Sequence, residues 1–347
     1  MDTDDPTEDT APIVEFLGTL GVAPHDVPVS AIEASAMAAD VILARGDKFS
    51  LLQLADETGL DTDQVGNIFR HLDITIGDAD EIRFGDADVK LVRFFFDAVA
   101  LLTEQEANEL LHVLGVAVSS ASEAAVTGHV LGPESRATSY LDGARVAAAM
   151  AEVGLELGEH LAAAFRHHLR QSMSRQRRVQ SVEFRELHTL TVGFVDLVGF
   201  TTLSQTLEPA DIIALITQFE SRAHELAHNE GARIVKLIGD EVMFASESRV
   251  AGASFALGML TSFGTSNVVP RGGLASGSVI AVHGDYFGSV VNLAARLVTT
   301  AVPGEILVDD SVAGATGVTT EFAGRRMLKG FDDPVRVHTL LVADRSP

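Results

Sequence analysis

Two carboxylates sit where apolar strands have little use for them. Asp196 lies in "FVDLVGFT", residues 194–201, and Asp240 in the Gly239-Asp240 step of "RIVKLIGDE". A buried carboxylate is costly unless it is paired or bound to a metal. Two carboxylates near each other repel unless a cation bridges them. Mg²⁺ suits that task, because it takes a few carboxylates and completes its octahedron with phosphate oxygens and water. Gly199-Phe200-Thr201 then opens a helix, whose first N–H groups suit β- and γ-phosphates. Taken singly, each aspartate reads first as a solvated strand-end or turn residue.

A second group adds donors of another kind. Lys236 stands four residues before Asp240, and the chain holds four lysines against 21 arginines. An ammonium and a guanidinium are not interchangeable at a specific contact. Asn292 and Arg296, in "GDYFGSVVNLAARL", share a helix face at a spacing of four, with Asp285 ahead of them across Gly288. An amide beside a guanidinium suits a ribose and a phosphate, and arginine neutralises charge developing on a phosphoryl group. No cysteine is present, so neither a disulfide framework nor a thiolate metal site exists.

The elements that must position these residues fall into two textures. Residues 12–180 have a helical period: "VPVSAIEASAMAADVILARG" offers Ser30 and Glu33 as a capping pattern and Gly46 as a stop. "SLLQLADETGLDTDQVGNIFRHLDI" reads as two short helices joined through Gly59-Leu60-Asp61. "YLDGARVAAAMAEVGLELGEHLAAAFRHHLRQSMSRQRR" reads as one long helix, or two with a bend at Gly154 or Gly158. After Glu186 strands and helices alternate, and "ARIVKLIGDEVMFAS" carries a hairpin signature. The order β-α-β-β-α-β with additions matches a ferredoxin-like core. The expected class is α+β, an all-helical N-terminal domain followed by that core. The expected divisions are a disordered acidic tail 1–11, a helical regulatory domain 12–150, a helical linker 151–186 and a catalytic domain 187–343.

Charge excludes some functions. The net charge is −24, of which residues 1–186 carry −18. So acidic a chain should not bind nucleic acid nonspecifically, which relies on Lys and Arg. No uncharged apolar run approaches 18 residues, so the expectation is a cytoplasmic protein with no membrane span.

"FVDLVGFT", "KLIGDEVMF" and "DYFGSVVNLAARL", in this order, resemble the catalytic domain of class III nucleotidyl cyclases over roughly residues 187–343. The resemblance implies two Mg²⁺ or Mn²⁺ ions at Asp196, Leu197 and Asp240, and adenine selection by Lys236 and Asp285, hence ATP as substrate. It implies ribose orientation by Asn292 and transition-state stabilisation by Arg296. Phe200, Thr201 and Lys329 join the substrate site, Lys329 towards the triphosphate. It further implies a homodimer, with sites between two catalytic domains and cyclic AMP as product. The N-terminal architecture resembles actinobacterial cyclases with an autoinhibitory helical domain, some acid-activated, and implies a lipid or fatty acid as a ligand there. In the linker, His160, His167 and His168 lie among Arg166, Arg170, Arg175, Arg177 and Arg178, behind a segment of net −22. Histidine titrates near physiological pH, so these three are candidate pH-responsive regulators. Rival readings are a catalytically silent sensor module, a diguanylate cyclase relative, and a DNA-binding regulator built on "TDQVGNIFRHL".

Overall fold

The computed structural model describes residues 11–28, 30–99, 101–131, 136–179, 187–263 and 268–342. The acidic tail up to residue 10 and the stretch 180–186 lie outside the described residues. Two compact units divide between Gln176 and Arg177.

The first unit is helical: α1 (Ala11–Thr19), α2 (Ala31–Leu43), α3 (Leu51–Thr58), α4 (Thr62–His71), α5 (Asp86–Val99), α6 (Glu104–Leu131) and α7 (Tyr140–Val179). Ser30 caps α2 by accepting from Glu33 N. Ser50 and Asp61 open α3 and α4 with reciprocal capping boxes, to Gln53 and Gln64. Gly59, left-handed at φ 73, closes α3 and makes the sharp turn between them. The apolar faces pack into two clusters. Leu54, Val65, Phe69, Phe84 and Val92 join α3, α4 and α5. Ile13, Leu17, Ala38, Ile42, Ala144 and Ala148 join α1, α2 and the start of α7. Glycines 154 and 158 do not interrupt α7, which runs as one helix. By length and composition one helix among the described residues is apolar enough to cross a membrane, α6 over Glu104–Gly128. Its uncharged stretch, residues 110–122, is bounded by Glu109 and Glu123, so no uncharged run near 18 residues stands in it.

The second unit carries β1 (Leu187–Val198), α8 (Phe200–Ser204), α9 (Pro209–Glu230), β2 (Arg233–Ile238), β3 (Glu241–Ser246), α10 (Arg249–Ser262), β4 (Val269–Val282), β5 (Asp285–Phe287), α11 (Ser289–Thr300), β6 (Ile306–Asp309), α12 (Asp310–Ala313), β7 (Thr320–Arg326) and β8 (Val335–Leu340). The sheet order is β2-β3-β1-β4-β6-β8-β7, with β5 paired to β4. Its β2-β3-β1-β4 portion is antiparallel, the ferredoxin-like arrangement expected from the element order. Alternation along β1 divides its side chains between the two faces. Val195 and Leu197 join Phe219, Phe244, Phe255 and Met259 under α9 and α10. Leu190, Val192 and Phe194 join Met243, Ala275, Ala294 and Val298 under α11.

Gly273 lets α11 lie directly on β4. A Cβ there would stand 2.2 Å from Val298 N and 2.5 Å from Ala294 O, both backbone atoms of that helix. Gly273→Ala therefore pushes α11 off the sheet, and a loss of about 1–3 kcal/mol is expected on denaturant unfolding.

At the far edge, the short α12 is tied to β8. His338 Nε2 lies 2.7 Å from Asp310 Oδ1, and Arg336 Nε donates to the same oxygen at 3.3 Å. The His338 contact, with Arg336 adding to it, holds the Asp310 carboxyl below its ordinary range. A depressed folded value means the stabilisation is present above the unfolded pKa and lost as pH falls through the folded one. Asp310→Asn should thus lower Tm near neutrality, with the gap to the unaltered chain closing as pH drops below about 4. Asp310 is largely exposed, so the effect is small.

Candidate active site

Strand alternation places Asp196 on the α11 face, in line with Phe194 and Val192. Its partners across the sheet are Glu241 in β3 and Arg271 in β4. Arg271 grips one carboxylate oxygen twice: Nε and Nη2 lie 2.9 and 2.8 Å from Asp196 Oδ2. Both side chains are mostly buried, at 19% and 27% exposure. Arg271 Nη1 also meets the carbonyls of Thr299 and Ala301, at the C-terminal end of α11. A guanidinium there suits the negative end of the helix dipole.

The hairpin between β2 and β3 brings the second carboxylate alongside. Leu197 N donates to Asp240 O at 3.1 Å, tying the end of β1 to the turn. Burial, with Asp196 adding to it, pushes the Asp240 carboxyl above its ordinary range. Glu241 is pushed up to about 7 by burial first, then by Asp196 and Asp240. Three carboxylates thus face one guanidinium, and the surplus negative charge is what a hard divalent cation neutralises. Among the described residues no group of three or more His, Asp and Glu side chains forms a metal cage by itself. Two aspartates with open positions fit Mg²⁺ or Mn²⁺ completed by water and phosphate oxygens.

Gly199, left-handed at φ 90, turns the chain from β1 into α8, whose start receives no side-chain cap. Phe200, half-buried, packs against the core cluster beneath α9. Thr201 is exposed.

The second group meets elsewhere. Lys236 Nζ donates to Asp285 Oδ2 at 2.5 Å. Asp285 is held further by Tyr286 N, which donates to its Oδ1 at 2.8 Å. Asn292 stands exposed in the first turn of α11. One turn on, Arg296 Nε donates to the Lys329 carbonyl at 3.2 Å. Lys329 itself is exposed. Ala301, which Arg271 touches, lies nine residues beyond Asn292, about 14 Å along the axis at 1.5 Å per residue. The structure therefore gathers Asp196, Leu197 and Asp240 at one place, and Lys236 with Asp285 at another. His160, His167 and His168 lie on α7, all exposed, with His160 Nε2 3.7 Å from Glu156 Oε1. The side chains of Arg175, Arg177 and Arg178 lie outside the described residues.

Residues 182–340 match the adenylate and guanylate cyclase catalytic domain. The adenylate cyclase of Streptomyces griseus is 30% identical over 300 residues, 84% of this chain and 73% of that one. The chain is a class III nucleotidyl cyclase. An uncharacterized protein of Mycobacterium tuberculosis is 36% identical to this cyclase over 312 residues, 88% of this chain and 82% of the other. Both alignments are longer than the catalytic unit, so they take in much of the helical unit. A pH-sensitive adenylate cyclase of Mycobacterium tuberculosis is 36% identical over 157 residues, 43% of this chain and 39% of its own.

Sequence reasoning missed Arg271 in this cyclase. It stands at the polar start of "RGGLASGSVIAV", where an arginine looks like an ordinary strand-end charge. The available signal was its place opposite Asp196, which only the β1–β4 register reveals.

Proposed function

We propose that this cyclase converts ATP to 3′,5′-cyclic AMP and pyrophosphate, at sites formed between two copies of the chain. The observation that carries the reading is the preformed Lys236–Asp285 pair in the same domain as the Asp196/Asp240 cluster. A cationic donor beside a carboxylate acceptor matches the N1 acceptor and N6 amino donor of adenine. The adenylate cyclase names of the Streptomyces griseus and Mycobacterium tuberculosis relatives support the same nucleotide.

Asp196, Asp240 and the backbone at Leu197 would hold the divalent cations, two per site. Bound there, such ions supply Lewis acidity to the phosphoryl oxygens and acidify the attacking hydroxyl. The chain's own residues do the rest. Asn292 orients the ribose so that its 3′-oxygen approaches the α-phosphorus in line, and pyrophosphate leaves from the opposite side. Arg296 stabilises charge developing on the α-phosphoryl oxygens, with its Nε already fixed by the Lys329 carbonyl. Lys329 and Arg271 neutralise the triphosphate. The separation of Asn292 from the Arg271 end of α11 supports a shared site: one protomer supplies the aspartates, its partner Lys236, Asp285, Asn292 and Arg296.

Residues 12–150 are then a regulatory unit and 151–186 a linker, in a cytoplasmic enzyme. His160, His167 and His168 couple pH to the alignment of the two catalytic domains. A lipid or fatty acid is the ligand class proposed for the helical unit. It has an open groove of about 600 Å³ lined by Leu51, Leu52, Ile74 and Ile76, with Arg70 at hand for a carboxylate. The full chain is to be incubated with ATP or GTP and Mg²⁺ or Mn²⁺ from about pH 5 to 8, the span over which histidine titrates. Cyclic AMP formation that loses its pH response in the His160→Gln/His167→Gln/His168→Gln variant supports both parts of the reading. An unchanged pH profile sinks the histidine role. Absence of any cyclic nucleotide leaves the silent sensor module.

A further inference from the structure

The two purine-selecting residues come from strands that no ladder hydrogen bond connects. Lys236 is on β2, which pairs with β3, and Asp285 is on β5, which pairs with β4. The sheet joins these strands only through β3, β1 and β4, and side chains bridge the remaining gap directly. A second contact spans the same gap: the Arg233 guanidinium lies 5.0 Å from the centroid of the Tyr286 ring. Arg233 and Lys236 are three apart, and in a regular strand residues three apart point to opposite faces. They share a face here because β2 bulges between Ile234 and Lys236. Arg233 is opposite Ala245 and Lys236 opposite Met243, both in the cluster beneath α11. Ile234, opposite Phe244, turns to the other cluster. Tyr286 also packs on the cluster beneath α11, and its N–H holds Asp285. Bulges recur beside active sites because they re-aim a side chain, and this one aims two.

We infer that Arg233 and Tyr286 are positioning residues for purine recognition. Their stacked contact holds β5 against β2 at the separation that keeps Lys236 and Asp285 aligned on the base. The inference rests on the ATP cyclase reading above. It adds two residues that touch neither metal nor phosphate.

The test uses the full chain, with 3′-deoxy-ATP and 3′-deoxy-GTP as ligands that lack the attacking hydroxyl, alongside steady-state kinetics. Arg233→Ala and Tyr286→Leu should each weaken 3′-deoxy-ATP binding by about three- to tenfold, the scale of one partly exposed cation–π contact. Each should raise the KM for ATP to match, leave kcat within about twofold and narrow the preference over GTP. The double variant should lose little more than either single one, because both remove the same contact. Tyr286→Phe keeps the ring face and should bind like the unaltered chain. The inference is overturned if Tyr286→Phe loses as much as Tyr286→Leu, if Arg233→Ala leaves affinity and preference unchanged, or if the single losses multiply. Equal binding of the two analogues by the unaltered chain would refute ATP selectivity alone. The positioning claim would then be decided by whether the two single losses still fail to multiply. Failure to bind either analogue overturns both.

Discussion

An Asp240→Asn chain and an Arg296→Ala chain, each inactive by itself, should recover about a quarter of the unaltered activity when mixed in equal amounts and allowed to exchange. Random pairing makes half of the dimers mixed. Each mixed dimer has one site with both defects and one with neither. The expectation follows from placement: Asp240 is tied to the end of β1, while Arg296 projects from α11 towards Lys329. If one protomer supplied a whole site, each mixed dimer would carry two broken sites and no activity would return. Mixed dimers shown to form by differential tags, yet without recovery, would contradict the shared site. The recovered fraction also reports whether the second site of a mixed dimer works independently.

Replacing Asp196 and Asp240, the aspartates proposed to hold the metal, should affect activity alike and stability differently. Asp196→Ala and Asp240→Asn should each lower kcat/KM by at least about 10²-fold, as expected when a preorganised charge is removed from phosphoryl chemistry. Asp196→Ala also leaves Arg271 mostly buried without the carboxylate that both Nε and Nη2 contact. A loss of about 1–3 kcal/mol is expected, below the full cost of breaking a buried pair because Arg271 keeps two carbonyl contacts. Asp240→Asn removes a carboxylate whose charge is disfavoured by burial, with Asp196 adding to it. It should leave stability unchanged or raise it by about 0.5 kcal/mol, a trade of stability for activity common at active sites. Denaturant unfolding of the chain without added metal reads both. Equal destabilisation by the two substitutions would mean that Asp240 is structural rather than held in strain for a cation.

How much of this was legible in the sequence depends on the distance over which each feature is encoded. Asp196 and Asp240 stood out because a charge in an apolar run demands a partner. The β2–β3 hairpin was local, and so was the turn at Gly59 with its capping residues. Arg271 was not legible, because its role arises from a pairing 75 residues away in sequence. Strand β5 escaped notice because three residues carry no period, although Asp285 within it was singled out for its chemistry. Strand β7, "TEFAGRR", breaks its alternation at Ala323, where the register with β8 shifts. The bulge at Val235 is invisible in "RIVKLI", since a bulge is a property of two strands rather than one. The parallel pairing of β4 with β6 likewise joins segments whose own sequences say nothing of direction.

The most direct measurement is kcat/KM for cyclic AMP formation from ATP against cyclic GMP formation from GTP, using the full chain with Mn²⁺ or Mg²⁺. A site built to hydrogen-bond one purine rejects the other because its polar groups are left unpaired, so a preference for ATP of at least about 10²-fold is expected. Comparable values for the two nucleotides, or a preference for GTP, would contradict the assignment of Lys236 and Asp285 to adenine and with it the account of this cyclase as an adenylate cyclase.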